Sequence, residues 1–282
     1  MRGVRVAELI AVAAAGTCLL AACSSSGSGS STGGLSGTAS ASAVGHATAA
    51  VGSSSAAPIS GAALASKVQA GATSLRSAHV ILTTTAAEES VTAQGSERFA
   101  SGKLTGLDLT ERLGSGTSGL SIGMRLAGNS IYIKLPPDAG LPAGKPWVNL
   151  SAAGSDPTLS QLVASVQSSI ANASVDGYTA FAHAATNIKD LGPATVNGVP
   201  STKYSFVVDV SKLPSTEFTT KILTQAGVSQ VPVDLWLDGQ GRTVQVTESS
   251  TVAGKPTSTK VVYDKFNEPV SIAAPPANQI AS

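Results

Sequence analysis

From Leu107 to Phe266, apolar residues recur at every second position in short runs separated by turn dipeptides. A period of two places one side of each run on a buried sheet face, and the short spacings between runs favour antiparallel hairpins over crossovers. Leu107, Leu109, Glu111 and Leu113 form one such run; Leu120, Ile122, Met124 and Leu126 form the next, followed by Ile131, Ile133 and Leu135. Gly128-Asn129 between the last two is a hairpin signal, and Asn197-Gly198 between 188–196 and 199–210 is a second. Val233, Leu235 and Leu237 alternate again, and Asp238-Gly239-Gln240-Gly241 turns the chain into 242–252. Gly254-Lys255-Pro256 then leads into 257–266.

Four segments carry a helical period instead. Leu64, Val68, Ala72 and Leu75 trace one stripe behind Ser60 as N-cap. Leu159, Leu162, Val163, Val166 and Ile170 trace another, opened by Asp156-Pro157. Further helices are expected over 176–185 and 214–226, the latter stopped by Gly227. Together these elements predict an α+β fold: a strongly curved antiparallel sheet with helices covering its concave face.

The N-terminus is of another kind. Arg2 and Arg5 precede an apolar run over 9–20, which ends in Leu20-Ala21-Ala22-Cys23. This is the order of a cleavable secretory signal, and its apolar run is too short for a resident membrane helix. The last four residues fit the bacterial lipobox, so residues 1–22 are expected to be removed. Cys23, whose thiol takes a diacylglyceryl group with palmitate-type chains through a thioether, becomes the mature N-terminus. A two-chain anchor is stable where a single chain is marginal, which predicts a protein held at the extracytoplasmic face of the cell membrane. Residues 23–58 form a tether of Ser, Gly, Ala and Thr with no charge and no aromatic. Such a segment buries too little apolar surface to order itself and as a coil spans roughly 30–35 Å. Residues 59–282 remain as one domain.

Charge and cysteine content narrow the function. The chain has 18 Lys and Arg against 17 Asp and Glu. Removing Arg2, Arg5 and Glu8 leaves 16 of each, a neutral domain without the basic face that nucleic-acid binding needs. Cys18 and Cys23 are the two cysteines, so the domain offers neither disulfide nor thiolate metal site. His79 and His183 are distant, and no metal or cofactor is expected. Aromatic residues are 4% of the chain, so core volume must come from Leu, Val, Ile and Ala.

Several catalytic patterns lack their structural context. Gly119-Leu120-Ser121-Ile122-Gly123 fits a nucleophile elbow, but Ser121 lies inside an alternating strand with no helix behind it. The Gly-rich run 114–119 joins two strands rather than opening a helix. Glu88 and Glu89 would point to opposite faces. Asp234 and Asp238 would share a face yet stand about 13 Å apart. Trp147, Trp236, Tyr178 and Phe181 read as packing residues. No catalytic residue and no enzymatic activity are expected.

Three features together resemble the LppX/LprA/LprF/LprG family of actinobacterial cell-envelope lipoproteins. They are the lipobox with its tether, the run Val231-Pro232-Val233-Asp234-Leu235-Trp236-Leu237-Asp238 before Gly241-Arg242-Thr243-Val244, and the ending from Tyr263 through Asn267-Glu268-Pro269-Val270-Ser271-Ile272 to Pro275-Pro276. The resemblance implies a half-barrel like the periplasmic lipoprotein carriers, with a cavity for the acyl chains of a lipid or glycolipid. It also implies an envelope transport protein as a partner. On that reading the cavity is lined by Leu107, Leu109, Ile122, Met124, Leu126, Ile131, Ile133, Leu162, Val166 and Ile170, under a lid formed by 156–185. The competing reading makes all ten plain core in a structural lipoprotein, since side chains fill protein interiors by default.

Overall fold

The computed structural model describes residues 57–86, 89–113, 120–152, 175–213, 218–252 and 255–281. The lipobox with Cys23, the tether up to residue 56, Glu88, the Gly-rich run 114–119 and the helix expected from Asp156 to Ile170 lie outside them.

Among the described residues, thirteen strands form a single unclosed sheet. In chain order the elements are β1 (Ala57–Pro58), α1 (Gly61–Ser74), β2 (Ser77–Ala86), β3 (Glu89–Ala100), β4 (Lys103–Leu113), β5 (Leu120–Ala127), β6 (Ser130–Lys134), β7 (Trp147–Asn149), α2 (Val175–Ala184), β8 (Ala185–Val196), β9 (Val199–Asp209), α3 (Phe218–Gln225), β10 (Gln230–Asp238), β11 (Thr243–Val252), β12 (Lys255–Asp264) and β13 (Ile280–Ala281). Across the sheet they stand in the order β1-β8-β9-β10-β11-β12-β2-β3-β4-β5-β6-β7-β13. Two antiparallel meanders, β2–β7 and β8–β12, are therefore joined in the middle by the pairing of β12 with β2, in the register Tyr263↔Val80 and Val261↔Leu82. The pairing of β13 with β7 is parallel.

The turn chemistry explains the hairpins. Asn197 and Gly198 have φ of 49° and 81° between the paired residues Val196 and Val199, the double left-handed geometry that matches strand twist. Ser101 and Gly102 do the same between β3 and β4. Gly128 and Asn129 close β5 onto β6. The Asp238 carboxylate organises the β10–β11 turn: it accepts from the backbone N–H of Gln240 and Arg242, each at 2.9 Å, and from Arg242 Nε at 2.7 Å. One boundary moves from its expected place: β12 begins at Lys255, and Pro256 sits within it opposite Thr251.

Helix α1 starts as its sequence dictates, with Ser60 Oγ accepting from Ala63 N at 3.2 Å. Its buried stripe is Leu64, Ala65, Val68 and Gly71, one residue rotated from the expected Ala72. The reason is steric: Gly71 packs on Gly241, where a Cβ would overlap the backbone of the β10–β11 turn. Helix α3 stops at Gly227, whose φ is 72°.

The interior has two apolar parts. Over one half of the sheet, α1 and α2 bring Leu64, Val68, Phe181 and Ala182 against Tyr204, Phe206, Val233, Leu235 and Val246 of β9–β11. Each fully buried Leu or Phe there is worth about 1.5–3 kcal/mol. Over the other half, the inner faces of β2–β6 and β12 make a separate cluster, to which the described parts of α1 and α2 contribute nothing. The chain after β12 runs back over the outer face. Asn267 Oδ1 accepts from Arg76 N at 2.7 Å, and Asn267 N donates to Ser77 O at 2.8 Å. Arg125 Nη1 then reaches Ala273 O at 3.3 Å.

Candidate functional site: the concave face of β2–β6 and β12

Strand register assembles the face. Glu97 of β3 lies between Ala78 of β2 and Leu107 of β4. Leu107 pairs with Leu126 and Leu126 with Ile131. The next rung runs Tyr263, Val80, Gly95, Leu109, Met124, Ile133 and Val148. The one beyond runs Val261, Leu82, Ala93, Glu111 and Ile122. Seven of the ten expected lining residues, Leu107, Leu109, Ile122, Met124, Leu126, Ile131 and Ile133, thus share one buried cluster. Leu162, Val166 and Ile170 lie outside the described residues.

The middle of this face is built from small groups. Ala78, Ala93 and Gly95 stand where β2 and β3 cross the floor, flanked by leucines on β4. Gly95 has a second role. A Cβ there would overlap the Asp108 carbonyl of β4, so only glycine permits this close approach of the two strands.

Three glutamates interrupt the apolar surface. Glu97 and Glu111 are each 5% exposed and Glu248 is 2% exposed. Glu248 of β11 lies between Val233 and Thr259, and Thr259 pairs with Thr84, their hydroxyls 3.3 Å apart. Glu111 Oε1 and both carboxyl oxygens of Glu248 have no hydrogen-bond partner among the described residues. Burial alone pushes Glu97 up to about 8 and Glu111 up to about 7, and it raises Glu248 well above the ordinary carboxyl range. Near pH 7 Glu97 and Glu248 are therefore largely neutral carboxylic acids and Glu111 is about half protonated, so these groups can donate as well as accept hydrogen bonds.

Arg125 and Lys203 are engaged on the opposite face. Arg125 bonds Asp108 at 2.6 Å and lies 4.8 Å from the Trp147 ring. Lys203 bonds Asp234 at 2.9 Å and lies 4.8 Å from Trp236. Trp147 and Trp236 are packing residues, as is Phe181 in the core under α1. Asp234 and Asp238 each have their own cation. His79 Nδ1 meets Asp264 Oδ1 at 2.9 Å at the start of β2, and His183 is exposed on α2. Ser121 is the second residue of β5, exposed and opposite Arg112. No group of three metal-binding side chains occurs among the described residues, and none of their helices is long and apolar enough to cross a membrane.

Two features differ from expectation. The segment 175–184 was expected to belong to a lid, yet Phe181, Ala182 and Ala184 are buried against α1 and β9. The space left there, among Val68, Phe181, Phe206 and Leu235, is only about 30 Å³, so that half of the concavity is filled. The glutamates are the other difference. Glu97 and Glu248 stand in phase with apolar neighbours, as Ala93-x-Gly95-x-Glu97-x-Phe99 and Val244-x-Val246-x-Glu248, and that phase was the available signal. An open groove of about 670 Å³ at the far end of β10–β12 is lined by Ser and Thr residues, including Thr85, Ser249, Ser250, Thr257 and Ser258, together with Val228, Pro232 and Pro256.

The carboxyl groups are badly placed for joint catalysis. Glu111 is four residues along β4 from Leu107, the partner of Glu97, which separates the two by about 14 Å. A carboxylate pair that works on one bond is far closer.

No family model matches the chain, and no curated protein matches its sequence. Among solved structures, the lipoprotein LppX of Mycobacterium tuberculosis is similar with 20% identity and a TM-score of 0.44, covering 75% of this chain and 98% of that one. LprF of Mycobacterium bovis is similar with 14% identity and a TM-score of 0.47, covering 76% and 96%. A LolA superfamily protein of Nitrosomonas europaea follows at 8% identity and a TM-score of 0.24, covering 80% and 98%. LppX and LprF are two of the lipoproteins that the sequence resembles.

Proposed function

We propose that this chain is a lipid-anchored envelope protein that holds an acylated lipid or glycolipid against the concave face of β2–β6 and β12, without catalysing a reaction. The observation that carries the reading is Glu111, on β4 within that face, with Oε1 buried and unmatched among the described residues; on the adjoining β11 both carboxyl oxygens of Glu248 are in the same state. Burying such a group costs several kcal/mol in a solid core. The cost is removed where the surface faces a space that a ligand or water enters. The small residues Ala78, Ala93 and Gly95 support such a space, since they leave the floor of the face low between flanking leucines. Acyl chains moving from a bilayer into it exchange one apolar surrounding for another, so little hydrophobic free energy is lost.

The export signal and Cys23 support an extracytoplasmic location on a membrane, and the tether would hold the domain off that surface. A carrier so placed hands its lipid to another envelope protein. One observation favours the competing structural reading: the half of the concavity beneath α1 and α2 is filled. Native mass spectrometry of the full chain, purified from a lipid-rich bacterial host, separates the two. Added masses that exchange with supplied lipid are expected. A clean apo mass, with no uptake of labelled phospholipid, overturns the carrier.

A further inference from the structure

We propose that Glu97, Glu111 and Glu248 are ligand-binding groups, and that the lipid they select carries hydroxyl or ester oxygens part-way along its buried chains rather than plain hydrocarbon. The inference rests on the lipid-binding reading above and adds the chemistry of the ligand.

The three carboxyls are not a cluster. Glu97 and Glu111 are about 14 Å apart on adjacent strands, and Glu248 lies four strands from Glu111, about 19 Å along the sheet. Each has apolar neighbours on its own strand: Gly95 and Phe99 beside Glu97, Leu109 beside Glu111, and Val246 beside Glu248. Each therefore presents one polar point to an otherwise apolar surface, at separations comparable with the length of an acyl chain. A saturated chain would cover these points and leave them unsatisfied, which costs more than leaving them wet. A hydroxyl or ester oxygen at the same depth accepts a hydrogen bond from the carboxyl O–H, and a hydroxyl also donates to its carbonyl oxygen. The Thr84 and Thr259 hydroxyls beside Glu248 extend that point into a short polar seam. A single cationic head group could meet only one of three such separated sites.

The test uses the full chain in detergent with an equimolar mixture of methyl 12-hydroxystearate and methyl stearate, reading the ratio of bound species by native mass spectrometry. The wild type is expected to favour the hydroxylated ester about three- to tenfold, the worth of one well-formed hydrogen bond. Glu97→Leu, Glu111→Leu and Glu248→Leu combined should bring the ratio to about one, whereas the corresponding Gln variant keeps a preference. The Leu variant removes buried polar groups, and a cooperative melt verifies that it is folded. Binding of both esters without preference in the wild type overturns the selectivity and leaves lipid binding standing. An unchanged preference in the Leu variant also overturns it. Binding of neither ester overturns both readings together.

Discussion

Gly71 in α1 and Gly241 in the β10–β11 turn lie backbone to backbone. A Cβ on Gly71 would overlap the Gly241 carbonyl, and one on Gly241 would overlap the carbonyl of Lys67. This contact seats α1 on the sheet and sets which helix face is buried. Gly71→Ala should destabilise the domain by about 1–3 kcal/mol, because the helix must lift and loosen the packing of Leu64 and Val68. Gly239→Ala, in the same turn with open space around it, is the control. Urea midpoints that fall for the first and hold for the second are expected; equal midpoints would show that α1 yields without cost.

The buried carboxyls set a pH dependence with a definite sign. The folded values of Glu97, about 8, and Glu111, about 7, lie above their ordinary 4.5. Folding therefore favours the protonated forms. Their contribution is fully present below about pH 4.5 and declines as pH rises through 7 and 8, by at most about 1.4 kcal/mol per pH unit for each carboxyl. Ligand-free protein should unfold at lower urea at about pH 8.5 than at about pH 5.5. A midpoint that rises over this interval would contradict the burial of these side chains.

Replacing one of these carboxyls with a hydrocarbon side chain of similar size should stabilise the empty protein. Glu248→Leu removes two unmatched oxygens and is expected to gain about 1–3 kcal/mol. Thermal melting of ligand-free material checks it. A loss of stability would mean that Glu248 has a polar environment in solution.

Cys23→Ala removes the thiol through which the proposed anchor would be attached. The protein is expected to leave the detergent-soluble membrane fraction and appear in the medium or the aqueous envelope fraction, still folded. Persistence in the membrane fraction after a high-salt wash would mean that some other part of the chain holds it there.

Much of the sheet was legible because its local signals agree with one another. Asn197-Gly198 specifies a two-residue turn, and the residues on either side alternate in the phase that turn requires. Gly128-Asn129 does the same for β5 and β6. What was not legible arises from contacts between distant residues. The rotation of the α1 stripe depends on Gly241, far along the chain. The burial of Phe181, in a segment that reads as a lid, depends on α1. Glu97 and Glu248 were passed over because glutamate is a surface residue by default. Their phase with Gly95, Phe99 and Val246 contradicted that default.

The pairing of β12 with β2 has a consequence for how this chain reaches its folded state. Residue 264 is the last of the strand that zips the two meanders together, and its partner is His79, close to the start of the domain. A sheet whose central seam joins sequence-distant strands forms late and slowly, because a long loop must close before the seam rewards it. On the proposed export route, N-terminus first, the sheet could not be completed until almost all of the chain had emerged. The seam that bridges the finished sheet would then keep a chain in transit from locking shut too early.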